Sequence, residues 1–287
     1  MKMKRINGIL LVLSLLAISC SSKGMKEQTN NKPEKESRIS KENSSDNVLD
    51  QVLKVVDKLE LKDGVIIKWI EHGSGEKIES GDCILIDYKV FLDDNTVVDG
   101  NHLIDKESIP YMVGFNMQTE GWFLAFKEMK VGDFAEIFIP SDLARGEKGI
   151  KDLIPPNADN TLKIRILEKP KPTREIDGNK VWVFEENESN KRVFNESNEI
   201  EFHCMVSTKS NPLYVNTYRT GNTIKMSLAS SGYVPGLKKS LINAKKSDRM
   251  FVFVPSKEAY GSQGYLDVVG SNEDLFYNVL VMNITDH

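Results

Sequence analysis

The sequence predicts an α+β fold built twice in tandem, and two observations carry that prediction. In each half of the chain, short alternating apolar runs typical of half-buried strands are broken by turn residues, with one short helical pattern among them. The chain also repeats itself. Gly121 and Gly236 stand 115 positions apart (236 − 121 = 115), and the same offset carries Asp133 onto Asp248, Pro140-Ser141 onto Pro255-Ser256 and Ala144 onto Ala259. It also aligns Gly146 with Gly261 and Gly149 with Gly264, while Asp63-Gly64 recurs as Asp177-Gly178. Coincidences at a near-constant offset mark two copies of one domain. A length of 287 residues suits two such domains plus a leader.

The leader comes first. Met1-Lys2-Met3-Lys4-Arg5 is basic and Ile6 to Ile18 is almost wholly apolar, too short a run for an easy membrane span of about 20 residues. It reads as a signal peptide over residues 1–19. Leu16-Ala17-Ile18-Ser19-Cys20 resembles the lipobox of bacterial lipoproteins, which implies that Cys20 is lipidated and becomes the first mature residue. An uncleaved anchor or a plain signal peptide is the alternative. Residues 20–47, rich in Lys, Glu, Asn and Ser, read as a disordered tether.

The first domain is expected over residues 48–168. Val48, Leu49, Val52, Leu53, Val56 and Leu59 follow one helical stripe, predicting an extra helix over Val48–Leu61 that packs on the domain or self-associates. Val65–Ile70 reads as a strand ending in the turn His72-Gly73-Ser74-Gly75. Cys83–Leu92 is a second strand, with Ile84, Ile86 and Tyr88 on one face, and Ile109–Val113 a third. Trp122, Phe126 and Met129 fall at i, i+4 and i+7 on a short helix that Val131-Gly132-Asp133 ends. Phe134–Pro140 is again a strand. A glycine-rich loop then leads to Ile154-Pro155-Pro156-Asn157, and Thr161–Leu167 closes the unit. A tryptophan at a helix start, a loop and a fixed-φ double proline together can wall a small apolar pocket.

Lys169 to Thr173 reads as a linker, because its prolines cannot continue a central strand. Residues 174–287 hold the second copy, where Val234, Leu237, Leu241 and Ala244 reproduce the helical face.

Composition excludes several chemistries. Forty-two acidic against 38 basic side chains leave a net charge of −4, no footprint for nucleic acid. The four histidines (His72, His102, His203, His287) show no metal-ligand spacing, no serine sits in a nucleophile elbow, and nothing implies a cofactor. Gly73-Ser74-Gly75-Glu76-Lys77 lacks the length of a phosphate loop and reads as a turn. Cys83 and Cys204 each sit in an apolar alternating run and read as buried free thiols, with a bridge between the halves as the alternative.

Gly121-Trp122, Met129, Val131-Gly132, Ile139-Pro140, Ala144, Gly146, Gly149 and Ile154-Pro155-Pro156-Asn157 closely resemble the FKBP-type peptidyl-prolyl isomerases. Gly81-Asp82, Tyr88, Asp99, Leu162 and Ile166 extend the likeness over about residues 63 to 168. The resemblance implies an antiparallel sheet wrapped round one short helix, with a proline-ring pocket between them. It implies that Trp122 is the pocket floor, that the Ile154 backbone N–H binds the carbonyl preceding the proline, and that Tyr88 and Asp99 form a polar wall. Ile109, Tyr111 and Val113 would form the apolar side. Three positions depart from the family pattern: Val98 and Ile164 stand where aromatics are usual, and Arg145 where a tyrosine is usual. Gln118 and Thr119 also replace apolar residues. Thinner aromatic walling implies weakened activity, and Arg145 either donates a hydrogen bond or favours an acidic or phosphorylated partner. Taken alone, Trp122 could instead be only a core tryptophan.

The second copy reads as degenerate. Leu237 replaces Trp122, Val269-Gly270-Ser271 replaces the Ile-Pro-Pro run, and Tyr214-Val215 replaces Val98-Asp99, although Tyr260 keeps the aromatic that the first copy lost. The resulting expectation is an envelope-anchored peptidyl-prolyl isomerase, facing the periplasm or exterior, that acts on proline-containing exported polypeptides. The alternatives are a non-catalytic binding lipoprotein and a structural surface lipoprotein.

Overall fold

A computed structural model of the chain describes residues 54–115, 117–185, 191–211 and 215–286. The leader, Cys20, the tether and positions 48–53 lie outside the described residues, as does Tyr214.

Two seven-stranded antiparallel sheets follow one another. The first contains β1 (Asp57–Glu60), β2 (Ile66–Glu71), β3 (Cys83–Phe91), β4 (Val97–Gly100), β5 (Ile109–Met112), β6 (Phe134–Ile139) and β7 (Asn160–Glu168), with helix α1 (Glu120–Phe126) between β5 and β6. Its strand order is β1-β2-β6-β7-β3-β4, with β5 also paired to β3. The second contains β8 (Arg174–Ile176), β9 (Asn179–Glu185), β10 (Asn198–Ser207) and β11 (Val215–Asn216), the helical turn α2 (Thr217–Thr220), and β12 (Ile224–Met226). Helix α3 (Pro235–Leu241), β13 (Arg249–Val254) and β14 (Leu275–Asp286) complete it. Its order, β11-β10-β14-β13-β9-β8 with β12 on β10, repeats the first strand for strand. The offset of 115 read from the glycines carries α1 onto α3 and β6 onto β13 without adjustment.

The expected helix over Val48–Leu61 is not what forms. Within its described part, Asp57–Glu60 is an edge strand paired with β2 from Asp57↔Trp69 to Glu60↔Ile66. Of these four residues only Leu59 is even half-buried, so the apolar stripe has no helix groove to fill. Sheet hydrogen bonds to a strand already in place outweigh the weak intrinsic preference for helix.

Each core is one sheet face closed by one helix. Ile84, Ile86 and Tyr88 of β3, Ile137 and Ile139 of β6, and Leu162, Ile164 and Ile166 of β7 meet Trp122, Phe126 and Met129. Strand β7 alternates buried and half-buried residues over Asn160–Ile166, the period of a sheet packed on one side. In the second core Val234, Leu237, Leu241 and Ala244 play the helical part. Cys83 and Cys204 are free and buried.

The two domains also share a third core. The outer faces of β3 and β5 bring Cys83 and Met112, with Phe115 beyond them, against Trp182, Phe251 and Phe276 of the second sheet. The Phe115 ring lies 5.9 Å from that of Phe253 and 5.8 Å from that of Phe276. The linker is tied down at both ends. Lys169 pairs with Glu76 at 3.1 Å and Asp82 at 2.9 Å. The Trp182 indole N–H donates to the Pro170 carbonyl at 2.9 Å, and the Val183 N–H donates to Thr173 Oγ1 at 3.0 Å. Among the described residues no helix is long and apolar enough to cross a membrane.

Candidate active site

The pocket forms where α1 lies against the concave face of the first sheet. Its position depends on Gly121. A Cβ there would fall 2.2 Å from Ile139 Cγ2, so only glycine lets the helix sit this close to β6. The next residue, Trp122, therefore points between helix and sheet and is 3% exposed. Tyr88 from β3 meets the indole edge-on, with ring centroids 5.2 Å apart. Tyr111 from β5 stacks on it at 5.9 Å. Phe126, one turn on, closes the far side at 5.8 Å. Aromatic contacts of this kind hold a rigid apolar floor.

A polar chain runs along one side of that floor. The Tyr88 hydroxyl donates to Asp99 Oδ1 at 2.9 Å, and the Gly100 N–H donates to the same oxygen at 2.8 Å. Gln118 Nε2 donates to Asp99 Oδ2 at 3.4 Å, and Arg145 Nη2 donates to Gln118 Oε1 at 2.8 Å. Burial pushes the Asp99 carboxyl above the ordinary carboxylate range, while the Tyr88 and Gly100 hydrogen bonds, Arg145 and Gln118 oppose it. Burial, reinforced by Asp99, raises the Tyr88 hydroxyl, and burial alone lowers Arg145 against the pull of Asp99 and Tyr88. Tyr88 thus spends its hydrogen on Asp99 and presents its ring, not its hydroxyl, to the pocket.

A cavity of about 230 Å³ opens beside this floor, lined in the first domain by Tyr88, Ile109, Tyr111, Gln118 and Trp122 among others. Four of the residues expected from the sequence, Tyr88, Ile109, Tyr111 and Trp122, therefore line it directly. Asp99 and Arg145 join through the hydrogen-bond chain. Val98, Val113, Ile154 and Ile164 belong to the same apolar core but do not line the cavity. The role expected of Ile154 needs correction. Its N–H already donates to the Ile150 carbonyl at 2.8 Å, and the Ile150 N–H returns a bond to the Ile154 carbonyl at 2.8 Å. This turn closes because Gly149, at φ +51°, lets the chain pass where a Cβ would meet the Ile154 oxygen at 2.3 Å. The donor is consumed within the loop.

An unpaired group sits elsewhere. Thr119 is the N-cap of α1 without making a side-chain cap, and its buried Oγ1 has no partner among the described residues. It lies on the turn between Gln118 and Trp122, both of which line the cavity. Sequence reasoning noted Thr119 only as a departure from the family pattern. The available signal was a threonine just ahead of the predicted helix, where an N-cap hydroxyl is expected.

The second domain lacks these groups. Tyr88 N–H donates to Asn101 Oδ1 at 2.8 Å, and Cys204 N–H donates to Thr217 Oγ1 at 2.8 Å. Tyr88 pairs across the sheet with Ile164, and Cys204 with Val279. Cys204 therefore takes the place of Tyr88, one residue beyond the plain offset. Likewise Val90 pairs with Asp99 and Val206 with Val215, so Val215 replaces the carboxylate. With Leu237 for the indole, neither floor nor polar wall remains.

The family model described as FKBP-type peptidyl-prolyl cis-trans isomerase matches residues 74–167 and again 190–282. The chain is 35% identical over 92 residues to FK506-binding protein 1B of Neurospora crassa, covering 30% of this chain and 81% of that protein. It is 31% identical over 107 residues to outer membrane protein MIP of Legionella longbeachae, covering 37% of this chain and 45% of that protein. The chain spans less than half the length of several other curated relatives that it matches. A crystal structure of the three FKBP domains of wheat FKBP73 aligns with a TM-score of 0.39 at 20% identity, over 79% of this chain and 97% of that one.

Proposed function

The chain belongs to the FKBP-type peptidyl-prolyl cis-trans isomerase family, and we propose that its first domain isomerises X-Pro bonds in exported or envelope polypeptides. The observation that carries this reading is the rigid aromatic floor of Trp122, Tyr88 and Tyr111 beside an open cavity. A peptide bond resists rotation by about 18–20 kcal/mol because twisting destroys amide resonance. X-Pro bonds populate both isomers but exchange over about tens to hundreds of seconds unaided. The planar amide is the more dipolar form, so an apolar floor that excludes water favours the twisted one. No proton has to move. Trp122 carries the prolyl ring, while the Tyr88–Asp99–Gln118–Arg145 chain fixes the Tyr88 ring in place.

The donor to the carbonyl preceding the proline falls to the start of α1. There the buried Thr119 hydroxyl is unpaired, and ahead of the Trp122 N–H, which donates to the Thr119 carbonyl at 3.1 Å, the first helical N–H groups have no intrahelical acceptor. A second reading, a peptide-binding domain without turnover, is favoured by the closed Ile150–Ile154 turn. The second domain, without floor or carboxylate, acts through its surface rather than through a proline site. One matched relative is named an outer membrane protein, and together with the lipobox-like Leu16–Cys20 this supports attachment to the cell envelope through a lipid on Cys20.

A proline-limited refolding assay with the full chain tests the reading. We expect acceleration by the wild type, an at least tenfold loss in Trp122→Ala, and a smaller loss in Thr119→Val if the hydroxyl is the donor. Circular dichroism checks that each variant folds. A wild type that binds unfolded chains without speeding refolding would establish the second reading. Mass spectrometry of the protein recovered from membranes tests the anchor, since Cys20→Ala would lose both the acyl mass and the membrane fraction.

A further inference from the structure

The cavity does not stop at the first domain. Beyond Ile109 and Tyr111 it runs on to the outer face of the second sheet, where Phe184, Met205 and Phe251 line it with Glu185 and Arg249, and Met250 reaches it from the second core. At about 230 Å³ it is larger than the roughly 150 Å³ in which an apolar cavity takes up a benzene-sized ring. A prolyl ring on Trp122 leaves room for a second side chain.

The far wall is held in place. Phe115 locks the sheets together through Phe253 and Phe276, and the linker is bonded at both ends. At the rim, Glu185 bridges the domains, accepting from Lys106 at 2.9 Å and from Arg249 Nε at 3.0 Å. These charges satisfy one another, so the wall between them offers a visitor mainly apolar surface. Met205 on this wall and Met117 on the first-domain side of the cavity are thioethers that repack round varied shapes.

We propose that the second domain, having no proline site of its own, is the specificity wall of the first. It supplies a subsite for a bulky apolar side chain carried on the same client segment, within two residues of the proline. The occupant is an extended polypeptide with leucine, phenylalanine or methionine beside its proline. The proposal rests on the first domain holding proline-containing segments. It adds that the selectivity for the neighbouring residue resides in Met205 and Phe184, more than 60 residues of chain away from the floor.

The test uses the full chain and peptides that differ only at one position, one or two residues to either side of the proline, carrying alanine, leucine or aspartate. Wild type should prefer leucine over alanine by about tenfold in kcat/KM at one of these positions. Met205→Glu, and independently Phe184→Ser, should bring that ratio to about one, with aspartate gaining nothing in the wild type. A ratio of one at every position in the wild type would overturn the proposal. So would a wild-type ratio persisting in both folded variants. If no peptide turns over, the isomerase reading fails on its own account. The leucine-to-alanine ratio of Kd, from indole fluorescence, then decides the subsite by the same criterion.

Discussion

Replacing Gly121 with alanine should loosen the first domain and misplace its floor. By helix propensity alone, alanine gains up to about 1 kcal/mol over glycine. That gain is incomplete here, because Gly121 lies in the first turn of α1. Against it stands a Cβ placed 2.2 Å from Ile139 Cγ2 and 3.2 Å from the Leu143 carbonyl oxygen. Ordinary contact begins at 3.4 Å, so the methyl is short of room by more than an ångström (3.4 − 2.2 = 1.2). Ile139 is fully buried in a strand, and its Cγ2 is bonded to a stiff β-branched carbon, so the helix has to lift instead. Overpacking of this kind costs about 1–3 kcal/mol, leaving a net loss of up to about 3 kcal/mol. Urea unfolding followed by circular dichroism would read this as a lower midpoint at unchanged slope. Lifting α1 by about an ångström also moves Trp122, and a displacement of that size costs up to about 100-fold in rate. Gly236→Ala serves as the control. Its Cβ would lie 2.4 Å from both Val254 Cγ1 and Asn179 Oδ1, so it should destabilise the second domain comparably and leave turnover of alanine-flanked peptides alone. If Gly121→Ala proves as stable and as active as wild type, the close helix–strand contact described here is wrong.

Other perturbations probe the remaining parts. Because the folded Asp99 carboxyl holds its proton more tightly than the ordinary value of 3.8, wild-type stability should fall as pH rises from there through its folded pKa. Asp99→Asn should abolish that slope in urea titrations, and Asp99→Ala should also lower activity by freeing the Tyr88 ring. Tyr88→Phe leaves a buried carboxylate one donor short and should cost about 1–3 kcal/mol near neutral pH, measured by the same titrations. Phe115→Ala removes a fully buried ring from the shared core, and calorimetry should show the two domains unfolding in separate transitions. Burial pushes the Cys204 thiol up to about 12 and raises Cys83 as well. Neither should react with a thiol reagent until urea unfolds the chain.

Much of the site was legible because it is local. Gly121-Trp122, the i, i+4, i+7 face and the strands carrying Tyr88 and Tyr111 are short-range patterns, and a period of two or 3.6 says which side chains share a face. Asp99 was marked by family likeness alone, because the short strand Val97–Gly100 that carries it was not read from the sequence. Ile154 shows the limit. Family likeness marked the residue, but whether its N–H is available depends on the Ile150 carbonyl opposite, a fact of loop closure. Val98 and Ile164 were assigned to the pocket wall by position, and the fold places them behind it in the core. The strand at Asp57–Glu60 was misread because its apolar stripe also fits a helix, and only the neighbouring strand decides between them.

The sequence by itself determined that one domain occurs twice and that the tryptophan at the helix start belongs to the first copy, with leucine in its place in the second. Each of these follows from residue identity and spacing along the chain. Tertiary structure alone decided that the copies share a core and that one pocket spans both. A sign of it lay in Val181-Trp182-Val183-Phe184 and Met250-Phe251-Val252-Phe253, apolar on both faces where a sheet open to water alternates. Such runs say that the outer face is covered, but not by what. The covering surface comes from residues far away in sequence, and only the folded chain brings Phe115 and Met112 to meet them.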